Sequence, residues 1–358
     1  MTVTAVGHPS GPKGPAVGHL SGPKSRVEFW CRDLISCLQA TFATVLWHAG
    51  HEPLDVLGAH WEFRYRPGDV RPEEFYYPCR VPGDLAASLA PHHPVSSAWQ
   101  EPPAGADPLD CLAEVVALGR LGVAAVDNFY LPFRPAFGDV HAAHLVVVYG
   151  VDRERGQVLV SDAMPPAFRG PIGTEDFLRA WSSVNPTDDQ DVFFSNARID
   201  RRFMTLTIGE PFPELDPALL RQVLSANLAG FSRGGSGPDW AGMAGLERFL
   251  ASLVEACRRG DRAALADCYP FGWGMQAQAS LHAELLRDKG LTWDLPELRE
   301  AGRLVEAAAH AWTGLRMTAA HGHGAPADCA ADLARHAAGL RRAHELALAG
   351  LTEAVRSL

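Results

Sequence analysis

Three residues set far apart in the chain have types and settings that suit nucleophilic acyl chemistry: Cys37, His144 and Asp162. Cys37 opens the Gly- and Pro-free segment CLQATFATVLWH, where Leu38, Phe42, Val45 and Leu46 fall on one apolar stripe at helical spacing and Gly50 supplies a stop. Asp33 and Ser36 lie just upstream as candidate N-caps, so Cys37 is expected in the first turn of a core helix. At such a position the free N–H groups and the helix dipole favour thiolate over thiol, and they offer donors to an oxyanion. His144 opens the strand-like run HLVVVY, and Asp162 closes the next one, QVLVSD. Antiparallel neighbours bring the start of one strand beside the end of the other. An imidazole placed there can take the thiol proton and later deliver it to a leaving group, while a carboxylate behind it fixes the tautomer and stabilises the imidazolium.

Each of these residues also has a plain structural reading. Cys37 would serve as a buried thiol on an apolar helix face, His144 as a strand-end histidine, and Asp162 as a turn former ahead of Pro165-Pro166. His141 competes for the base role, and His144 is preferred because it abuts the apolar strand and can be held rigidly. Asp127 and Asn128, in VDNFYLPF, could face the same cleft or form only a polar pair where a strand turns. The other thiols, Cys31, Cys79, Cys111, Cys257, Cys268 and Cys329, bring the count to an odd seven with no C-x-x-C pair, which points to neither a disulfide framework nor a zinc knuckle. His321-Gly322-His323 with Cys329 has metal-compatible types, but its setting reads as a loop between helices. His92-His93 reads as a surface loop, and the glycine-rich stretch 234–237 lacks the lysine of a phosphate loop.

The elements that must position these groups predict an α+β chain. A helix over 109–121 is followed by the strand VAAVDNF, then by an antiparallel hairpin from His144–Tyr149 and Gln157–Ser161, and by an extended piece at Phe203–Ile208. Residues 51–110 read as loops with a short helix near 84–90. After the Pro-rich stretch 211–217 the sequence turns Ala- and Leu-rich, so 217–358 is expected to be a helical bundle, interrupted by loops at 234–242 and 271–274. Residues 5–14 nearly repeat at 16–25 and are too polar to build a core, giving a disordered leader 1–25, a reactive domain 26–212 and a helical domain 213–358. With 358 residues, 47% of them hydrophobic, the chain is large enough for two such units. A formal charge of −10 without a basic run argues against a nucleic-acid partner. No stretch approaches a membrane span and the first residues lack a signal-peptide block, so a cytoplasmic protein without membrane partners is expected.

The order of a cysteine on a first core helix, then H-x-V-V-V-x-G, then a strand ending in Asp resembles the papain-like fold of bacteriocin-processing peptidases. The segments CLQATFATVLWHAG, D-x-F-Y-L-P-F and HAAHLVVVYGVD look more closely like the N-terminal domain of the butirosin biosynthesis protein H family. GMAGLERFLASLVEA and FGWGMQAQASLHAELL are similar to the helical domain usually joined to it, so that the likeness spans roughly residues 27–350. The resemblance implies a papain-like N-terminal domain that moves an acyl or aminoacyl group from a carrier-protein thioester to a small-molecule amine, forming an amide in natural-product biosynthesis. It implies Cys37 as nucleophile, His144 as base and Asp162 as orienting acid. It also implies no cofactor of the enzyme's own, since the donor rides on a phosphopantetheinyl carrier. The sequence departs from the papain-like pattern where a glutamine usually donates to the oxyanion, because Cys31 stands there. Asp33 is nearby but cannot donate when ionised, which leaves helix-start N–H groups or another side chain such as Gln39. The helical half would exclude water so that an amine, and not hydrolysis, takes the acyl group. An acidic carrier would need a basic patch such as Arg201-Arg202 or Arg258-Arg259. A cysteine peptidase or thioesterase using the same residues, and a papain-like fold that only binds, remain alternatives.

Overall fold

The structure is a computed structural model in which residues 27–68, 80–81, 83–233 and 238–358 are described. The leader with His8 and His19, Cys79 and the stretch 234–237 lie outside them. The architecture is α+β. Helix α1 (Cys37–His48) comes first, followed by α2 (Pro53–Leu57), the two-residue strand β1 (Arg64–Tyr65), α3 (Leu85–Leu89), β2 (Val95–Gln100) and α4 (Pro108–Ala117). Then come β3 (Gly122–Asp127), a 3-10 turn at Asn128–Tyr130, β4 (Ala143–Asp152), β5 (Gln157–Asp162), β6 (Phe168–Gly173), α5 (Thr174–Trp181) and β7 (Phe203–Ile208). The rest is helical: α6 (Pro217–Ser232), the short β8 (Trp240–Ala241), α7 (Gly242–Arg258), α8 (Arg262–Thr292), α9 (Pro296–Gly322) and α10 (Pro326–Ser357).

Six strands form one antiparallel sheet in the order β2-β7-β3-β4-β5-β6. β4 is apolar without alternation because both its faces are buried. Leu145 and Val147 join the core that holds α1 and the helical bundle, whereas Val146 and Val148 join a second core under α4 and α5 with Leu112, Phe177 and Trp181. Val147 pairs with Ser161 and Val126 with His144, so the start of β4, the end of β5 and the end of β3 meet at one end of the strands.

Several expectations about 51–110 and the bundle change. β2 is a full edge strand paired with β7 from Val95↔Ile208 to Gln100↔Phe203, a role its serines and glutamine concealed. The segment around Trp61 and Phe63 enters the bundle. Trp61 stacks on His282 and His344 at 5.7 and 5.3 Å, and β1 pairs with β8. The first core therefore runs without a break from α1 through α10. Residues 271–274 are not a loop, since α8 continues through Pro270, Gly272 and Gly274. Gly272 marks a close helix contact: a Cβ there would lie 3.2 Å from Arg316 Cβ and 3.6 Å from the Trp312 ring on α9. Packing thus overrides the local propensity to break. The expected strands over VAAVDNF, His144–Tyr149, Gln157–Ser161 and 203–208 are present, while β6 and α5 were not foreseen.

Candidate active site

Cys37 occupies the first helical position of α1, behind Ser36 at the N-cap. Ser36 places no side-chain oxygen on the first-turn N–H groups; its hydroxyl is donated instead to Gln39 Oε1. The helix start thus presents backbone donors beside the sulfur, the arrangement an oxyanion needs.

His144 lies between the sulfur and a carboxylate. Its Nε2 is 2.7 Å from Asp162 Oδ2, and because a carboxylate only accepts, Nε2 carries the proton of that bond. The Cys37 side chain lies close enough to the ring to raise its pKa, and both line the same cavity. Burial opposes an imidazolium here, but the Asp162 charge, its hydrogen bond and the contact with Cys37 overcome it and push the imidazole from 6.5 up to about 9. Burial likewise opposes the Asp162 carboxylate, yet His144 and then Arg134 hold its pKa below the usual value. Asp162 is held at both oxygens: Arg134 Nη1 donates to Oδ2 at 3.1 Å and the Met164 N–H to Oδ1 at 2.9 Å.

The row faces a cavity of about 400 Å³. One side consists of Ser36, Cys37, Asn128, Arg134, His144 and Met164, and the other of Phe193 and Phe194 from the loop after α5 with Tyr269 and Trp273 from α8. Asn128 Oδ1 is buried without a hydrogen-bond partner. Asp191 also lines the cavity. Burial raises its pKa even though it accepts from the Phe193 and Phe194 N–H groups.

The structure therefore brings Cys37, His144, Asp162 and Asn128 together, and it does not bring the other candidates to the cavity. Asp33 is exposed on the turn before α1, because the left-handed Leu34 turns the chain after it. Gln39 is buried, but its side chain folds back on Ser36 as an N3 residue meeting its N-cap. His141 is bound by Asp127 at 2.7 Å and stacks on Phe129 at 4.2 Å. Cys31 sits by the Arg32 carbonyl, and burial raises its pKa. Neither arginine pair is an open basic patch. Arg202 is buried over Trp99 at 4.4 Å, and Arg258 and Arg259 share Glu255. Cys329 lies 3.4 Å from the Cys257 sulfur, and among the described residues no three His, Cys, Asp or Glu gather so as to hold a metal ion. His93 is buried and stacked on Phe212, not set in a surface loop.

Arg134 and the aromatic wall were missed. The only sequence signal for Arg134 was a lone basic residue between Pro132 and Pro135, close after Asp127-Asn128. For the wall it was paired phenylalanines within the acidic loop DDQDVFF.

Comparison with known families adds one finding: residues 36–163 match the family described as butirosin biosynthesis protein H, N-terminal. Over that segment the chain is similar to the butirosin biosynthesis protein H family. The matched segment begins at the N-cap of Cys37 and ends one residue beyond Asp162, so this domain alone supplies the whole row. The far wall, Phe193 to Trp273, comes from outside the matched segment. No curated protein matches the chain. Among the described residues no helix is long and apolar enough to cross a membrane.

Proposed function

We propose that this chain is a biosynthetic cysteine acyltransferase that takes an acyl, aminoacyl or peptidyl group from a carrier-protein thioester and delivers it to a small-molecule amine. The observation that carries this reading is His144, set between Cys37 and Asp162 on the floor of an aromatic-walled cavity. In the first step His144 takes the Cys37 proton as the sulfur attacks the thioester carbonyl, and first-turn N–H groups of α1 take the oxyanion. His144 then gives its proton to the departing phosphopantetheine sulfur, leaving an acyl group on Cys37. A pKa near 9 keeps that proton available at neutral pH. In the second step the amine nitrogen attacks the acyl carbon, the C–S bond to Cys37 breaks, and the nitrogen's proton returns to His144. The donor arrives activated, so the chain needs no cofactor of its own.

Transfer is favoured over hydrolysis by the wall from the loop after α5 and from α8. Phe193, Phe194, Tyr269 and Trp273 cover the row with apolar surface that keeps bulk water from the acyl-enzyme. The experiment is intact-mass measurement after mixing with an acyl-loaded carrier protein. An acyl adduct on the wild-type chain, absent from Cys37→Ala and discharged to amide on adding an amine, is expected. Free acid released at the same rate with and without amine assigns a hydrolase, and an adduct that survives Cys37→Ala removes Cys37 from the role.

A further inference from the structure

The approach to the nucleophile is an unfavourable piece of backbone. Leu34 has φ +67, the left-handed region that a branched side chain adopts only when its surroundings hold it there. It lies two residues before the N-cap of α1 and therefore sets the angle at which Cys37 enters the cavity.

What holds this turn comes from the helical half. Gln276 Nε2 on α8 donates to the Leu34 carbonyl at 2.9 Å, and Trp273 Nε1, one turn earlier, donates to the Ile35 carbonyl at 3.1 Å. Gln276 is itself fully buried and cannot reorient: its Oε1 accepts from Thr313 Oγ1 at 2.7 Å and from Arg316 Nε at 2.8 Å, both on α9. Since the Arg316 nitrogen can only donate, the amide must present its NH2 to Leu34. The Arg316 guanidinium also lies over the rings of Tyr269 and Trp273, at 4.8 and 4.7 Å, and these are the aromatics that wall the cavity.

We propose that Gln276 is a positioning residue for Cys37, fixing through Leu34 and Ile35 the geometry of the nucleophile, with Arg316 tying the same anchor to the cavity wall. This rests on the reading of Cys37 as nucleophile. It gives the bundle a part in catalysis beyond excluding water: the sulfur belongs to one half of the chain and its aim to the other.

The test uses Gln276→Glu, which keeps the acceptors for Thr313 and Arg316 but replaces the donor facing Leu34 O with an oxygen. Two readouts are taken on the full chain: the pH profile of Cys37 alkylation by iodoacetamide, followed by peptide mass, and kcat and KM for transfer from a loaded carrier. Alkylation at neutral pH and kcat are expected to fall about tenfold or more, with KM for the carrier within about threefold. Gln278→Leu on the same helix is the control, because its amide meets the Glu62 N–H and not the Cys37 approach; it should leave the alkylation profile unchanged. Trp273→Phe removes the second donor but also alters the cavity wall, so only its alkylation profile is read, and a smaller fall is expected there; it replaces Gln276→Glu if that chain does not fold. Alkylation and kcat within twofold of wild type in the folded variant would overturn the proposal. A wild-type chain that forms no acyl adduct at all speaks against the acyltransferase reading, while the alkylation profile still decides the role of Gln276.

Discussion

Two histidine–aspartate pairs, their histidines three residues apart, stand at the same end of the sheet, and they are built alike. His144 Nε2 meets Asp162 Oδ2 at 2.7 Å, and His141 Nδ1 meets Asp127 Oδ2 at 2.7 Å, both carboxylates being almost wholly buried. Their surroundings separate them. Asp127 also accepts from the Phe129 and Ala142 N–H groups and from Ser183 Oγ, so it ties together the end of β3, the 3-10 turn, the approach to β4 and the segment after α5. His141 completes that knot with its ring flat on Phe129 and its own N–H given to Asp188. The ring of His144 meets Cys37 and lines the cavity. A buried carboxylate–imidazole pair is therefore no signature of catalysis by itself. What separates them is whether the imidazole's remaining side reaches a thiol: the His144 pair meets Cys37, while the His141 pair holds the turn that carries Asn128.

The largest contrast lies in turnover. His144→Gln should lower kcat for carrier-to-amine transfer by on the order of a thousandfold or more, because it removes the proton carrier for both steps. His141→Gln should stay within about tenfold of wild type, since its ring touches neither the sulfur nor the cavity. Single-turnover acylation of the two variants measures this, and equal losses would erase the distinction between the pairs.

The carboxylates should reverse the order when stability is read. Asp127→Asn leaves several buried donors facing an amide that cannot accept them all, and should cost about 3 kcal/mol in urea unfolding. It should nonetheless retain measurable transfer. Asp162→Asn keeps a neutral acceptor for Met164 but removes the charge that holds the His144 proton, so kcat should fall by roughly a thousandfold. An Asp127→Asn chain of unchanged stability but no turnover would mean that both pairs serve the reaction.

The sequence carried one side of this comparison better than the other. Cys37, His144 and Asp162 were legible because each stands at the end of a strongly patterned element, and hairpin geometry forces two of those ends together. The role of His141 was not legible, since nothing local reveals that Asp127 collects donors from three other segments; the competing histidine could be set aside only by a strand argument. Arg134 and the wall from 193–194 and 269–273 were hidden for a related reason. Arg134 meets Asp162 only through a fold-back of 28 residues, the wall reaches the row through tertiary packing, and α8 runs through Pro270 and Gly272 where local propensity predicts a break. Within 51–110, Trp61 and Phe63 fill the bundle core from a stretch with no helical or strand period to betray them.

The smallest effect is the dependence of stability on pH, and it isolates the His144–Asp162 pair. The His144 pKa is raised on folding from 6.5 to about 9, so its contribution to stability is fully present below about 6.5 and is lost as the pH climbs through 9. Asp162 is depressed on folding, so its contribution is present above the ordinary carboxylate range and is lost as acid protonates it. Between these limits the pair is at full strength. The difference in unfolding free energy between wild type and His144→Gln should shrink by roughly 2 kcal/mol between pH 6.5 and 9.5, read by urea melts at each pH. A His141→Gln chain, with His144 intact, should keep the wild-type loss over the same interval. If that loss instead vanished in His141→Gln and persisted in His144→Gln, the raised proton affinity would belong to the Asp127 pair, and Cys37 would face an imidazole that gives up its proton too early to serve the leaving group.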